Sequence, residues 1–233
     1  MAKDRIALVT GANKGIGYEI AQQFGEKGYH VLIGARNAEA GKQAAASLQK
    51  GGAAADFVEI DVSDPASIQK AASAVAAKFD HLDALVNNAA IMEDKANITE
   101  LPDDLFLRTL TTNTLGPLRV TQAFLPLLVK SSRASVVNMS SGLGQLSDMG
   151  DTHPAYSISK TALNAVTRQF AAALRDKGIT VNSVCPGWVK TDMGGANAPR
   201  TVQQGADTVT WLATEAPRDL TGQFLRDRNV IPW

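Results

Sequence analysis

Short apolar runs alternate with longer stretches of helical character along the whole of this sequence. The runs RIALVT, YHVLIGA, ADFVEID, LDALVNN, ASVVNMS and ITVNSVC are each followed by a predicted helix, and another short run, GQFLRD, closes the series. This alternation is typical of a parallel sheet with helices on both faces. Because the runs are almost wholly apolar, the strands are predicted to be buried on both sides. The sequence therefore predicts an α/β fold with a doubly wound parallel sheet of about seven strands.

Length and composition limit the kind of protein that this chain can be. It has 233 residues, of which 45% are hydrophobic, so we expect one domain over residues 1–233. Lys and Arg together number 23, as do Asp and Glu, so no net charge attracts nucleic acid or an anionic membrane. No apolar run approaches the ~20 residues of a membrane span. The sequence predicts a soluble, cytoplasmic protein without a nucleic-acid or membrane partner.

A glycine-rich turn, TGANKGIG, directly follows the first predicted strand and leads into a helix. There Gly11, Gly15 and Gly17 lie where the pyrophosphate of a dinucleotide meets a helix N-terminus. The glycine spacing is wider than the usual G-x-G-x-x-G, and a tight turn without a ligand is the alternative. The binding hypothesis makes these turn residues candidates for cofactor contact: Gly11, Asn13, Lys14, Gly15, Ile16 and Gly17.

The end of the second predicted strand bears on the type of dinucleotide. NAD-binding folds commonly place an acid there for the ribose 2′-hydroxyl, whereas an arginine accommodates the 2′-phosphate of NADP. Here Ala35 is followed by Arg36, and Lys14 adds a cation that can reach the same corner. Two solvated surface charges are the alternative. The pattern predicts NADP(H), with Asp61 as either an adenine contact or an ordinary turn aspartate.

The stretch YSISK places Tyr156 and Lys160 four residues apart in a segment of helical character. Residues with this spacing lie on one face of a helix, so the two side chains can converge. A nearby cation favours the phenolate and makes the phenol a better acid near neutral pH. A chance pair on a helix surface is the alternative. The stretch indicates acid–base catalysis, and the rest of the chain has to decide.

Taken together, these motifs resemble the short-chain dehydrogenase/reductase family from Ile6 to the C-terminus. The matching stretches are TGANKGIG, NNAA, TTNTLGP around Asn113, VVNMSSGLG, YSISK and PGWVKTDM, in the family's order. The resemblance implies a single NAD(P)-binding Rossmann-fold catalytic domain. It also implies that Tyr156 is the catalytic acid or base, that Lys160 lowers the pKa of Tyr156 and binds the nicotinamide ribose, and that Asn113 supports a water relay.

The family motif also assigns a serine and further cofactor contacts. It places its serine three residues before a glycine, which selects Ser141 ahead of Gly144 to orient the substrate carbonyl and leaves Ser140 as a turn neighbour. By resemblance, Thr191 bonds the nicotinamide carboxamide. The cofactor positions implied by the family, beyond the glycine turn, Arg36 and Asp61, are Val62, Asn88, Ala89, Tyr156, Lys160, Pro186, Gly187, Val189 and Thr191.

Within the family the chain looks most like the NADPH-dependent carbonyl reductases. That similarity implies hydride transfer from NADPH to a ketone or aldehyde, with Tyr156 as proton donor. The alternatives are an alcohol dehydrogenase working in the oxidative direction and a non-catalytic NADP(H)-binding regulator. Pocket walls are expected from 142–155 and from 188–200, and a mobile substrate loop is predicted at 190–205. Leu143, Leu146, Met149, Trp188 and Met193 favour an apolar or aromatic carbonyl compound, with ordinary loop packing as the alternative.

The chain departs from its relatives at two points. Ala90 replaces the usual glycine of N-N-A-G, and only fourteen residues separate Ser141 from Tyr156, where monomeric vertebrate carbonyl reductases carry a long insertion. The helical stretches around 105–129 and 161–173 contain few charged residues, which leaves apolar outer faces. The sequence therefore predicts a homodimer or homotetramer that pairs these helices, with a bland solvent face as the alternative.

No metal site is predicted. The single cysteine, Cys185, excludes an internal disulfide and a zinc site built from several cysteines, and its apolar run indicates a buried thiol. His30, His81 and His153 are far apart and form no cluster with ligand spacing. Only His153 is near the predicted pocket, which makes it a candidate for substrate contact.

Overall fold

The structure, a computed structural model, describes residues 5–95 and 97–233. Strands and helices alternate from the first described residue onward. The strands are β1 (Arg5–Thr10), β2 (Tyr29–Ala35), β3 (Ala55–Glu59), β4 (Ala84–Asn87), β5 (Ser135–Met139), β6 (Thr180–Val184), β7 (Phe224–Arg226) and β8 (Asn229–Val230). The α-helices are α1 (Gly15–Glu26), α2 (Ala38–Lys50), α3 (Pro65–Ala76), α4 (Asp103–Leu110), α5 (Gly116–Leu128), α6 (Pro154–Leu174) and α7 (Val202–Thr214).

All eight strands belong to one sheet with the order β3-β2-β1-β4-β5-β6-β7-β8. Strands β1 to β7 pair in parallel, and β8 is antiparallel to β7. The chain reverses its direction of winding between β1 and β4, so a crevice opens there at the carboxyl ends of the strands. The predicted α/β fold with a doubly wound sheet is confirmed.

The eighth strand is the one element of the sheet that sequence patterns did not predict. It is two residues long and follows a tight turn in which Asp227 and Arg228 both have positive φ, 50° and 62°. Such turns are usually signalled by Asn-Gly or Asp-Gly, and Asp-Arg carries only half of that signal. The turn before β8 therefore contains no glycine, and the sequence carries no strong signal for this last antiparallel strand.

The two faces of the sheet carry separate hydrophobic cores. Ala7 and Val9 of β1 pack on one side with Phe24 of α1, whereas Ile6 and Leu8 pack on the other. The first core includes residues of α1, α2 and α7, and the second includes residues of α3, α5 and α6. Burial on both sides explains why the strand sequences are continuously apolar.

A π-helical turn, Thr111–Leu115, joins α4 to α5 in one helical segment. Gly116 directly follows this turn and lies close to the loop after β3. A Cβ on Gly116 would be 2.9 Å from the carbonyl oxygen of Val62. Single π-turns are frequent at functional sites because they shift the side chains that follow by a fraction of a turn. Within the described residues, no helix is long and apolar enough to cross a membrane.

Candidate active site

The glycine turn lies at the crevice between β1 and β4. Gly11 has φ 63° and Gly15 has φ 59°, conformations that favour glycine. A Cβ on Gly17 would lie 2.4 Å from the carbonyl oxygen of Gly11, so only glycine allows this approach. Helix α1 starts at Gly15, and Lys14 before it provides no side-chain cap. The first amides of α1 are thus available to an anion, as a pyrophosphate site requires.

Thr10 and Asn88 hold the glycine turn against the end of β4. The Thr10 hydroxyl accepts hydrogen bonds from the backbone amides of Asn88 (3.0 Å) and Ala89 (3.1 Å). The side-chain amide of Asn88 donates to the carbonyls of Thr10 (3.0 Å) and Gly11 (3.1 Å). The predicted cofactor residues Asn88 and Ala89 therefore form one wall with the glycine turn.

Arg36 and Asp61 lie on the same side of the crevice, beyond the ends of β2 and β3. Arg36 is exposed, and its charge reaches the Asp61 carboxyl. Burial raises the pKa of Asp61, but hydrogen bonds from Ser63 and the charge of Arg36 outweigh it, so the net pKa is lowered. Asp61 Oδ1 accepts from both the amide (2.9 Å) and the hydroxyl (2.6 Å) of Ser63. These bonds are those of the turn aspartate considered as the alternative.

Lys14 does not join Arg36 in this structure. Its Nζ is 2.5 Å from Asp192 Oδ2, an exposed ion pair that connects the glycine turn with the segment after β6. The Thr191 side chain also faces the turn, since a Cβ on Gly15 would lie 3.5 Å from its methyl group. The segment after β6 therefore covers one end of the glycine turn.

The segment predicted as a mobile loop, 190–205, is tied at its base and partly helical. Lys190 donates its amide to the carbonyl of Arg200 (2.9 Å), and Arg200 donates to that of Trp188 (3.2 Å). The indole of Trp188 donates to the carbonyl of Gly194 (2.7 Å). The prediction extended too far, because residues 202–205 form the first turn of α7 behind a Thr201 capping box.

Four predicted cofactor residues lie between the end of β6 and the first residues of that segment. Gly187 has φ 76°, and a Cβ there would lie 2.5 Å from the Arg200 side chain. Thr191 Oγ1 accepts from the amide of Gly194 (3.0 Å). Pro186 and Val189 complete the turn between β6 and Thr191, where Val189 pairs with Arg200 in an isolated bridge. These residues lie at the same sheet edge as the glycine turn.

The predicted catalytic residues converge at the ends of β5 and β6. Ser141 begins a short 3₁₀ turn just after β5, and its side chain is hydrogen-bonded to Tyr156. Tyr156 is only 8% exposed. Lys160, one turn later in α6, donates from Nζ to the carbonyl of Met139 (2.6 Å), and its Nζ lies 5.4 Å from the Tyr156 ring centroid. The i,i+4 pair is thus buried and forms one cluster with the half-buried Ser141.

Burial governs the ionisation of Tyr156 and Lys160 in this cluster. Burial raises the pKa of Tyr156 to about 12, against a lowering effect of the bond with Ser141. Burial also lowers the pKa of Lys160 to about 7. Burial is the largest effect on both groups, and Lys160 Nζ is turned to the Met139 carbonyl, so a lowering of the Tyr156 pKa by Lys160 stays a prediction. The phenol is therefore protonated at neutral pH.

Asn113 lies in the π-turn and is completely buried. Its Oδ1 accepts from the amide of Ile91 (2.9 Å), and its Nδ2 donates to the Ile91 carbonyl (2.8 Å) and the Ser159 hydroxyl (3.0 Å). Asn113 thereby ties the segment after β4 to the catalytic helix α6. These contacts fit a satisfied core asparagine, and its part in a water relay stays a prediction.

Several apolar side chains in the segments after β5 and β6 are exposed or half-buried. Leu146 is 68% exposed and Trp188 58%, and Met149 and Met193 are also exposed, whereas Leu143 is half-buried. Ordinary loop packing would bury these side chains, so their exposure in these two segments is consistent with the predicted apolar pocket walls. His153, directly before α6, has φ 50°, and its Nδ1 is buried without a hydrogen-bond partner.

Two residues near the cluster were missed by sequence reasoning. Arg226, at the end of β7, points an NH2 toward Cys185 Sγ (3.1 Å) and lies against Gly142. Its place at the carboxyl end of a parallel strand was a signal that could have identified it. Asp94, in the segment after β4, contacts the start of α6 and belongs to no sequence motif.

Cys185 is buried, as predicted, and the described residues contain no metal-binding cluster of His, Cys, Asp and Glu.

Comparison with known proteins agrees with this site. The profile of the family described as short chain dehydrogenase matches residues 5–201. Carbonyl reductase [NADPH] 1 of Sus scrofa is 31% identical, over 98% of this chain and 94% of that protein. Short-chain dehydrogenase/reductase 1 of Saponaria officinalis is 33% identical, over 100% of this chain and 97% of that protein.

Solved structures show the same similarity. The NADPH-bound carbonyl reductase from chicken fatty liver superimposes with a TM-score of 0.89 at 33% identity, covering all of both chains. Carbonyl reductase Sniffer of D. melanogaster also gives 0.89, at 31% identity and with both chains fully covered. Fold, site and comparisons together show that this chain belongs to the short-chain dehydrogenase/reductase family.

Proposed function

We propose that this protein is an NADPH-dependent reductase that converts a ketone or aldehyde to an alcohol. The observation that carries the proposal is the buried pair of Tyr156 and Lys160 with the half-buried Ser141 beside Tyr156, the Tyr156 phenol being in its protonated form. A protonated phenol is the form that a carbonyl reduction requires of its acid. Relatives named carbonyl reductase [NADPH] and the NADPH-bound chicken enzyme support the same reaction.

The crevice fits a phosphorylated dinucleotide. The uncapped start of α1 and the close approaches at Gly11 and Gly17 leave space that a Cβ would fill, which suits a pyrophosphate. Arg36 is exposed beyond β2, where Ala35 provides no carboxylate to repel a 2′-phosphate. Asn88, Ala89 and the turn from Pro186 to Thr191 would line the remaining wall. When bound, NADPH would supply the hydride.

Tyr156, Ser141 and Lys160 would have different roles at the carbonyl oxygen of the substrate. The hydride adds to the carbonyl carbon while the C=O π electrons move to oxygen, and that oxygen takes the proton of Tyr156. Ser141, hydrogen-bonded to Tyr156, donates to the same oxygen as negative charge develops. Lys160, with a pKa lowered to about 7, can carry a proton near neutral pH and is placed one turn from the phenolate that remains.

The exposed rim favours an apolar or aromatic substrate. Leu146, Met149, Trp188 and Met193 offer hydrophobic surface around the mouth, and Trp188 can stack on an aromatic ring. Purified protein should oxidise NADPH, followed at 340 nm, with aromatic aldehydes and ketones from a carbonyl panel. NADPH binding without oxidation by any member of the panel would support the regulator instead, and faster turnover of alcohols with NADP⁺ would support the dehydrogenase.

We also propose a homo-oligomer, in which α6 packs against α6 of a second copy. Ala165 and Gln169 on the outer side of α6 are exposed, and Leu107 and Leu115 of the neighbouring segment are exposed hydrophobic residues. A pair of such faces around a two-fold axis would bury them together. The cytoplasmic location stays a prediction from the sequence.

A further inference from the structure

Helix α6, which carries Tyr156 and Lys160, lacks a capping side chain of its own. His153 occupies the N-cap position in a left-handed conformation and makes no side-chain cap bond. Pro154 follows and has no amide hydrogen. The next two amides, of Ala155 and Tyr156, donate instead to Asp94 Oδ2 at 2.8 and 3.3 Å. The cap therefore comes from a residue sixty positions earlier in the chain, across the site.

Capping α6 with Asp94 requires the burial of a carboxylate, which is energetically unfavourable. It is 1% exposed, and its second oxygen, Oδ1, is buried without a hydrogen-bond partner. Over residues 5–95 and 97–233 no salt bridge reaches it, so its carboxylate relies on two amides and the positive end of the helix. A serine or asparagine caps a helix about as well without burying a charge. Helix stability alone therefore does not explain the carboxylate.

We propose that Asp94 is a positioning residue for the reduction: its carboxylate fixes the first turn of α6 and so holds the Tyr156 hydroxyl toward Ser141. This inference rests on the proposed function for its kinetic consequence only. The contact is made to the amide of the tyrosine itself, so a displacement of Asp94 moves the backbone of the proton donor directly. A 1 Å misplacement of a catalytic group can cost about 10²-fold in rate.

The charge of Asp94 has a second effect on the same residue. Four polar or titratable residues face Tyr156, each from a different part of the fold. They are Asp94 in the segment after β4, Ser141 in the turn after β5, Cys185 after the end of β6, and Lys160 in α6 itself. After burial and the opposing bond with Ser141, Cys185 and Asp94 each contribute to raising the pKa of Tyr156. The carboxylate thus helps to keep the phenol protonated, as the acid of a reduction must be.

Two substitutions separate the geometric role from the electrostatic one. Asp94→Asn keeps an oxygen that can accept from the two amides but removes the charge. Asp94→Ala removes both. Asp64→Ala is the matched control, because Asp64 caps α3 in the same way, accepting from the Ala66 amide at 2.9 Å, and lies outside the catalytic cluster. All three variants are made in the full chain and tested for NADPH affinity by fluorescence.

For Asp94→Ala we expect kcat to fall by about 10²-fold, NADPH affinity to stay within about twofold, and hydrogen exchange over 153–158 to accelerate. Asp64→Ala should accelerate exchange only at the start of α3 and keep kcat. An unchanged kcat in Asp94→Ala would overturn the positioning role whether or not exchange accelerates, as would an equal loss of kcat in the control.

For Asp94→Asn we expect normal exchange over 153–158 and an alkaline limb of the kcat/KM profile at lower pH, because the charge that disfavours the phenolate is gone. Tyrosine-labelled NMR of the unliganded protein, with Tyr156→Phe for assignment, should show Tyr156 beginning to ionise at lower pH than in the wild type. This titration does not depend on turnover, and it does not involve the Asp94→Ala variant. It therefore decides the electrostatic role even if no carbonyl compound is reduced. An unmoved Tyr156 ionisation would overturn it.

Discussion

Tyr156 and Lys160 are adjacent in the site but are shifted in opposite directions by the same cause. Burial disfavours the charged form of each, so the phenol keeps its proton and the ammonium loses its own more easily. The pair is therefore suited to give a proton at neutral pH, which is the role assigned to it in the reduction. The sequence placed both residues on one helical face, but it could not show how deeply they are buried.

Tyr156→Phe removes the transferable proton and keeps the ring. We expect kcat for carbonyl reduction to fall by about 10²- to 10⁴-fold, the usual range for a general acid. NADPH affinity should change little, since the ring volume that packs in the site is retained. Steady-state kinetics and fluorescence titration with NADPH check both expectations, and a kcat near that of the wild type would remove Tyr156 from the mechanism.

Lys160→Met should change how stability depends on pH. In the wild type the unfolded chain keeps the Lys160 proton up to its ordinary pKa, whereas the folded protein releases it near pH 7. The free energy of unfolding should therefore rise from pH 7 toward pH 10 in the wild type relative to the variant, by on the order of 3 kcal/mol. Urea unfolding at pH 6 and pH 9.5 measures this difference, and parallel curves for the two proteins would contradict it.

Arg36→Leu tests the choice of cofactor. The 2′-phosphate distinguishes NADPH from NADH, and a charged hydrogen bond contributes about 1.5–3 kcal/mol. NADPH should therefore bind about tenfold to a hundredfold more weakly to the variant, while the affinity for NADH stays nearly unchanged. Titration with both cofactors decides it, because an equal loss for the two would make Arg36 a structural residue.

At the scale of elements, local patterns located the strands and most helices, while long-range contacts determined their ends. Helix α7 begins at a capping box formed by Thr201 and Gln204, so residues 202–205, the last four of the predicted mobile segment, are helical. Helix α6 begins where Asp94 reaches it, and no residue next to α6 in the sequence signals that contact. The π-turn around Asn113 likewise depends on partners at Ile91 and Ser159 rather than on its own sequence.

At the scale of the whole molecule, the outer face of α6 is the surface at which the proposed oligomer would form. Exposed small residues such as Ala165 leave this face nearly flat, and Arg168 is one of its few charges. Leu107 and Leu115 extend the apolar surface on the neighbouring helical segment. A second copy would cover both, as proposed above.

Ala165→Glu should dissociate the oligomer. The two-fold axis places this buried, unpaired carboxylate in the contact twice. We expect the free energy needed to desolvate the two carboxylates to exceed the favourable free energy of association. Light scattering at micromolar concentration should give two or four times 24.6 kDa for the wild type and a single-chain mass for the variant. Ala76→Glu, at an exposed position of α3, is the control and should keep the wild-type mass. A wild-type mass near 24.6 kDa would refute the oligomer.

The sequence by itself determined the fold class and the glycine turn, because these depend on local chemistry, and its resemblance to the family named Ser141, Tyr156 and Lys160 as the proposed catalytic cluster. Apolar strand runs require burial on two faces, Gly11 and Gly17 permit backbone contacts that no other residue does, and the spacing of Tyr156 and Lys160 fixes a shared helical face. Such signals lie within a few residues of one another.

Only the tertiary structure decided the ionisation of that cluster and the contacts that hold it. The pKa values of Tyr156 and Lys160 follow from burial by segments far apart in the chain. Lys14 faces Asp192 rather than Arg36, and Asp94 caps a helix that begins sixty residues later. Desolvation and long-range hydrogen bonds depend on where distant segments meet, and a single sequence carries no local pattern for that.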